Sequence, residues 1–89
     1  MNRPPVQVGS IVISKAGRDE GRRFIVIQSL DDEYVFISDG ATHKVEKPKK
    51  KKRKHLKLVR EPDREITERL CKGNVENYEI RKWLSDKEE

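Results

Sequence analysis

The chain has 89 residues, 33% of them apolar and 42% charged, which suits one small domain with an appendage and leaves no room for a deep substrate cleft. Cys71 is the only cysteine, so an intrachain disulfide and a thiolate metal cage are excluded and a reducing cytosol is expected. Residues 1–60 hold 15 Lys or Arg against 7 Asp or Glu, a net of +8, and residues 61–89 hold 6 against 9, a net of −3: a basic part that attracts polyanions precedes a mildly acidic tail.

In chain order, Asn2-Arg3-Pro4-Pro5 is a short polar leader, expected to fray. Val8 to Ser14 is rich in β-branched residues and reads as a strand, ended by Lys15-Ala16-Gly17. Lys15 to Arg22 is a polar loop bounded by Gly17 and Gly21, and Arg23 to Gln28 is a second strand. Leu30-Asp31-Asp32-Glu33 turns the chain into a third strand, Tyr34 to Ser38. Asp39-Gly40 signals a type I′ hairpin, with Thr42 to Glu46 as the return strand and Val45 facing inward. The run Lys47 to His55 is expected as a flexible loop, and His55 to Val59 alternates as a fifth strand.

Five short strands without intervening helices predict a mainly β fold, a small SH3-like antiparallel barrel over residues 1–60, closed so that its edges are protected. Residues 61–89 form a helical appendage. Asp63 to Cys71 and Asn74 to Leu84 read as helices, with Gly73 as a stop and Asn74 as an N-cap. Ile80, Trp83 and Leu84 share one helical face. The first three strands are apolar on both sides, unlike a sheet with one wet face, so that helical face is expected to cover the outside of the barrel.

Two basic clusters carry the functional signal. Lys15, Arg18, Arg22 and Arg23 surround the two glycines, Gly17 and Gly21, and offer cations and exposed amide groups to phosphate oxygens. Lys47, Lys49, Lys50, Lys51, Lys52, Arg53 and Lys54 place seven positive charges before the last strand, flanked by Lys44, His55 and Lys57. Charges this dense repel unless an anion gathers them, and on RNA they would release counterions. The loop is expected to set the site, and the lysine run to supply affinity with little choice. The bland alternatives are a solvated β-turn and a solubilising loop. Pro48 to Lys54 also has the composition of a nuclear import signal.

Val8 to Ile27, two apolar strands joined by Gly-Arg-Asp-Glu-Gly, with Asp39-Gly40 downstream, resembles the KOW motif. The likeness is to large-subunit ribosomal KOW proteins and small bacterial KOW-domain RNA-binding proteins, and it covers residues 8–59. It implies an SH3-like barrel that contacts ribosomal RNA. Many members carry a further glycine where this chain has Arg22-Arg23, which implies that arginine side chains make more of the contact.

Catalytic machinery is not expected. His43 and His55 are too far apart to make a recognisable metal pair, and Asp31-Asp32-Glu33 reads as an acidic turn, not a cation site. Cys71 is expected as a small buried hydrophobe and His43 as a half-buried strand residue. No apolar run suits a signal peptide or a membrane span. Three functions compete: a cytoplasmic RNA-binding module of ribosomal type, monomeric when free, needing no cofactor and able to touch ribosomal proteins; a basic DNA or chromatin adaptor; and a protein-interaction barrel of SH3 or Tudor kind. The last would need an aromatic cage, and Tyr34 and Phe36 lie on one strand with none around them.

Overall fold

In a computed structural model, which describes residues 6–85, the strands are β1 Ile11–Ser14, β2 Arg23–Ser29, β3 Tyr34–Ser38, β4 Lys49–Lys52 and β5 Leu56–Arg60. They form one antiparallel sheet in the order β4-β3-β2-β1-β5. The leader, residues 2–5, lies outside the described residues. The fold is small and mainly β, as expected, but the sheet does not close. Its two edges, β4 and β5, are joined through a single turn of 3₁₀-helix, Arg53–His55. Edge protection therefore comes from composition: β4 is four consecutive lysines, whose charge discourages edge-to-edge pairing.

Strand alternation divides the apolar residues between two cores. One face gathers Val12, Phe24, Val26, Val35, Ile37 and Leu56, with Val6 from the segment before β1. The opposite face carries Ile11 and Ile25, against which Ile80 is packed. The helices α1 Arg64–Lys72 and α2 Asn77–Ser85 complete that second core with Ile66, Leu70, Trp83 and Leu84. The doubly apolar strands are thus explained by helices docked on the outer face.

Helix α1 starts at Asp63, whose carboxylate accepts from the Glu65 N–H at 2.9 Å, and ends at Gly73 in the left-handed region. Asn74 is not the N-cap of α2. Residues 74–76 have no regular structure, Val75 packs against the outer core, and α2 begins only at Asn77. Glu79 there accepts from the Glu76 N–H at 3.0 Å, half of a capping box. Arg69 clamps the two helices together, donating to Glu79 and to the Asn74 carbonyl. Cys71 is exposed, not buried, because it lies on the side of α1 away from the core.

The largest departure from expectation follows β3. No residue other than glycine has positive φ among the described residues, so Asp39-Gly40 cannot form a type I′ turn, which needs it twice. Residues 39–48 form an irregular connection, Thr42 to Glu46 is not a strand, and the return strand is the lysine run itself. Side chains fix this connection. Asp39 Oδ1 accepts from the Ala41 and His43 N–H groups at 2.9 and 2.8 Å. Asn77, at the start of α2, accepts from the Val45 N–H at 2.8 Å and donates to Glu46. Gly40 is required for a different reason: it has φ +73° and lies so close to α2 that a Cβ would sit 2.4 Å from the Asn77 carbonyl oxygen. His43 is half-buried in this connection, not in a strand.

Candidate nucleic-acid interface

The loop between β1 and β2 reverses direction through Gly17 and Gly21, both at positive φ. Open space surrounds Gly21, so its requirement is conformational and not steric. The Ser14 N–H donates to Arg22 and the Gly21 N–H to Ser14 across the loop's base, at 3.0 and 2.8 Å. Between the glycines, Asp19 turns inward and is 6% exposed, although it stands among basic residues.

Pairing explains what Asp19 meets. In β4, Lys49 and Lys51 lie opposite Ile37 and Val35, on the inner side, whereas Lys50 and Lys52 lie opposite Phe36 and Tyr34, on the outer side. The inner pair reaches under the loop. Lys49 Nζ is 3.1 Å from Asp19 Oδ2, and Lys51 Nζ donates to the Ala16 carbonyl at 3.2 Å. His43 Nε2 is 3.6 Å from the same carboxylate oxygen, its ring tilted against Phe24. Arg22 completes the cluster, 3.9 Å from Asp19 and 3.6 Å from Asp39. Burial pushes the Asp19 carboxyl up, but the nearby Lys49, His43 and Lys51 outweigh it and hold its pKa below the ordinary value. One buried carboxylate thus locks the glycine loop to the lysine strand.

The glycine loop thus touches the run through Lys49 and Lys51, and residues 49–52 of the run are an ordered strand, not the flexible loop expected. Arg18 is exposed on the loop. On the outer side, Arg23 and Lys57 flank Ile13 across three paired strands. Lys50 stands over the Tyr34 ring at 4.5 Å, with Lys52 at 5.9 Å. Lys44 and Lys47 are exposed in the β3–β4 connection. Lys15 and Lys54 are exposed beside the 3₁₀ turn, where half-buried His55 accepts from the Lys15 N–H. Arg53 differs from the rest: its guanidinium donates to the carbonyls of Val6 and Asp31 and to Ser29 Oγ, and so ties the segment before β1 to the turn between β2 and β3. The acidic turn is as expected. The N–H groups of Glu33 and Tyr34 bond Asp31 and hold its carboxyl below the usual range.

Sequence reasoning missed Asp19, Asp39 and His43 as organisers of the site. Only Asp19 and Arg22, three residues apart in a turn, left a local signal; the partnership with Lys49 spans strands that spacing does not relate.

A five-stranded SH3-like sheet, with a glycine-bounded cationic loop seated on a basic edge strand, defines a small KOW-type domain protein. No family model matches the chain. It is 30% identical over 85 residues to the large ribosomal subunit protein eL14 of Desulfurococcus amylolyticus, with 86% of this chain and 88% of the relative covered. The chain belongs to the eL14 family of large ribosomal subunit proteins. The match runs well past residue 59, so it also takes in sequence that the KOW resemblance left unexplained. Among the described residues no helix is long and apolar enough to cross a membrane.

Proposed function

We propose that this protein is a non-enzymatic RNA-binding component of the cytoplasmic large ribosomal subunit, with ribosomal RNA as its main partner and neighbouring ribosomal proteins as secondary ones. The five-stranded sheet holds the RNA, and helices α1 and α2 buttress it from behind. The observation that carries this reading is the Asp19 lock, which fixes Lys49, His43 and Arg22 around one buried carboxylate. Such a lock holds the Lys49 and Arg22 cations in a preorganised surface, and preorganisation lowers the cost of binding. Arg18 on the loop, and Arg23, Lys50 and Lys57 on the outer side of the sheet, supply further exposed charge, and arginine can grip phosphate bidentately or stack on unpaired bases. The import-signal reading is weaker, because the run is a strand paired with β3. A Tudor-like reading lacks a cage, since a lysine ammonium occupies the space over Tyr34.

The test is a salt titration of binding to fragments of large-subunit ribosomal RNA, with duplex DNA alongside. For about six phosphates neutralised, log K falls against log salt with a slope of roughly −5. RNA is expected to be preferred, through A-form geometry and the 2′-hydroxyl. A flat titration, or equal binding to DNA, contradicts the proposal.

A further inference from the structure

Away from the Asp19 lock, beside the 3₁₀ turn, lies a cleft of about 560 Å³, within the size range of small-molecule sites. Its floor is apolar, made by Val6 and Leu56, 2% and 5% exposed. Its rim is mixed: Lys15 and Lys54 bring cations, Asp32 and Glu33 bring carboxylates, and Lys52, whose ammonium stands near Tyr34, adds to the wall. Arg53 forms part of the wall, with its guanidinium engaged by protein acceptors. Asp32 and Glu33 are exposed, and their side chains take no part in the turn, which uses Asp31.

That combination suits neither a bare phosphate nor an apolar side chain. Two carboxylates repel phosphate, and two ammonium groups serve no purpose to an aliphatic guest. An unstacked nucleotide meets every part of it: the base against the apolar floor, the phosphates at the lysines, and a base edge at a carboxylate. Carboxylates also discriminate among bases. They accept two parallel hydrogen bonds from the N1–H and N2 amino groups of guanine. Adenine and cytosine offer one amino group beside an acceptor that repels the carboxylate, and uracil offers one N–H between two carbonyls.

We infer that this cleft receives a single splayed-out guanine nucleotide of the bound RNA, recognised by Asp32 or Glu33 and held through its phosphates by Lys15 and Lys54. The inference rests on the RNA-binding reading and adds a base-specific subsite to it. Single-stranded loops and bulges are where RNA displays bases in this way.

The full-length protein is titrated with the pentaribonucleotides UUGUU, UUAUU, UUCUU and UUUUU, with the Val6 and Leu56 methyl resonances followed by NMR. UUGUU is expected to bind at least about fivefold more tightly than the others, the low end of what one bidentate base contact supplies. It is also expected to shift both methyl signals. The double variant Asp32→Asn, Glu33→Gln is expected to lose the guanine preference while binding UUUUU at least as well, since it removes negative charge. Equal affinity for all four pentamers, unmoved methyl signals, or a preference that survives the double variant overturns the subsite. If ribosomal RNA fragments still bind electrostatically, only the subsite falls; if they do not, the RNA-binding reading falls with it.

Discussion

At the scale of single residues, Asp19 does two jobs that pull in opposite directions. It cancels charge on a surface whose value lies in being positive, and it holds that surface in shape. Asp19→Asn takes from Lys49 and His43 the carboxylate they share, while Arg22 keeps only Asp39 as a counter-charge. The expected loss is about 1–2 kcal/mol in urea unfolding at neutral pH, below the range for a fully buried pair because Lys49 and Arg22 are partly solvated. The acid dependence has a definite sign. The folded carboxyl titrates below its ordinary value of 3.8, so its contribution is full above that value and is lost as pH falls through the lowered one. Asp19→Asn should therefore flatten the stability profile below about pH 4, without abolishing the part due to Asp31, whose pKa is also lowered. An unchanged profile would mean that Asp19 does not hold the cluster. Glycines offer a second comparison at this scale. Gly21→Ala meets no neighbour and bears only the left-handed backbone, about 1 kcal/mol. Gly40→Ala adds a clash with the start of α2 and should lose at least about 2 kcal/mol in the same measurement.

At the scale of elements, β4 contains four identical residues with two different duties. Lys49 and Lys51 point inward to the loop; Lys50 and Lys52 point outward with Tyr34. The double variant Lys50→Ala, Lys52→Ala should leave the melting temperature nearly unchanged and reduce the salt slope of RNA binding by about 2. Lys49→Ala with Lys51→Ala should lower the melting temperature and broaden the amide signals of residues 16–22. Equal effects from the two variants would remove the distinction. This division was not legible in the sequence, because a homopolymeric run carries no alternation from which to read a strand. Lysine is a poor strand former, so the run looked like a loop, and Thr42 to Glu46, which does alternate, looked like the strand instead. Pairing with β3 and contacts from Asn77 decide the matter, and both are tertiary. Where side chains advertise their surroundings, the reading held. The third strand, Tyr34 to Ser38, has the bounds expected of it.

At the scale of the whole molecule, the sheet has two apolar faces and needs both covered. The inner core closes through Leu56 and Val6, and the outer face depends on the helices. Ile80 is fully buried there, although α2 is only nine residues long and would not be stable alone in water. The dependence is mutual, since without α1 and α2 the side chains of Ile11 and Ile25 would face solvent. The connection between β3 and β4 would also lose the Asn77 hydrogen bonds and the Arg81 contact to the Gly40 carbonyl. The basic strand therefore depends on the acidic tail behind it, through the segment that α2 holds. Sheet and helices should consequently unfold as one unit. Trp83, the only tryptophan, is half-buried in the outer core and reports on the helices, while far-ultraviolet circular dichroism reports on all the backbone. In urea the two signals should trace coincident transitions with a single midpoint. Native Trp83 emission should be blue-shifted and shielded from iodide, reddening only as the protein unfolds. An early fluorescence transition, with the strand signal intact, would show that the sheet stands without its helices and that the tail is a separate module awaiting a partner.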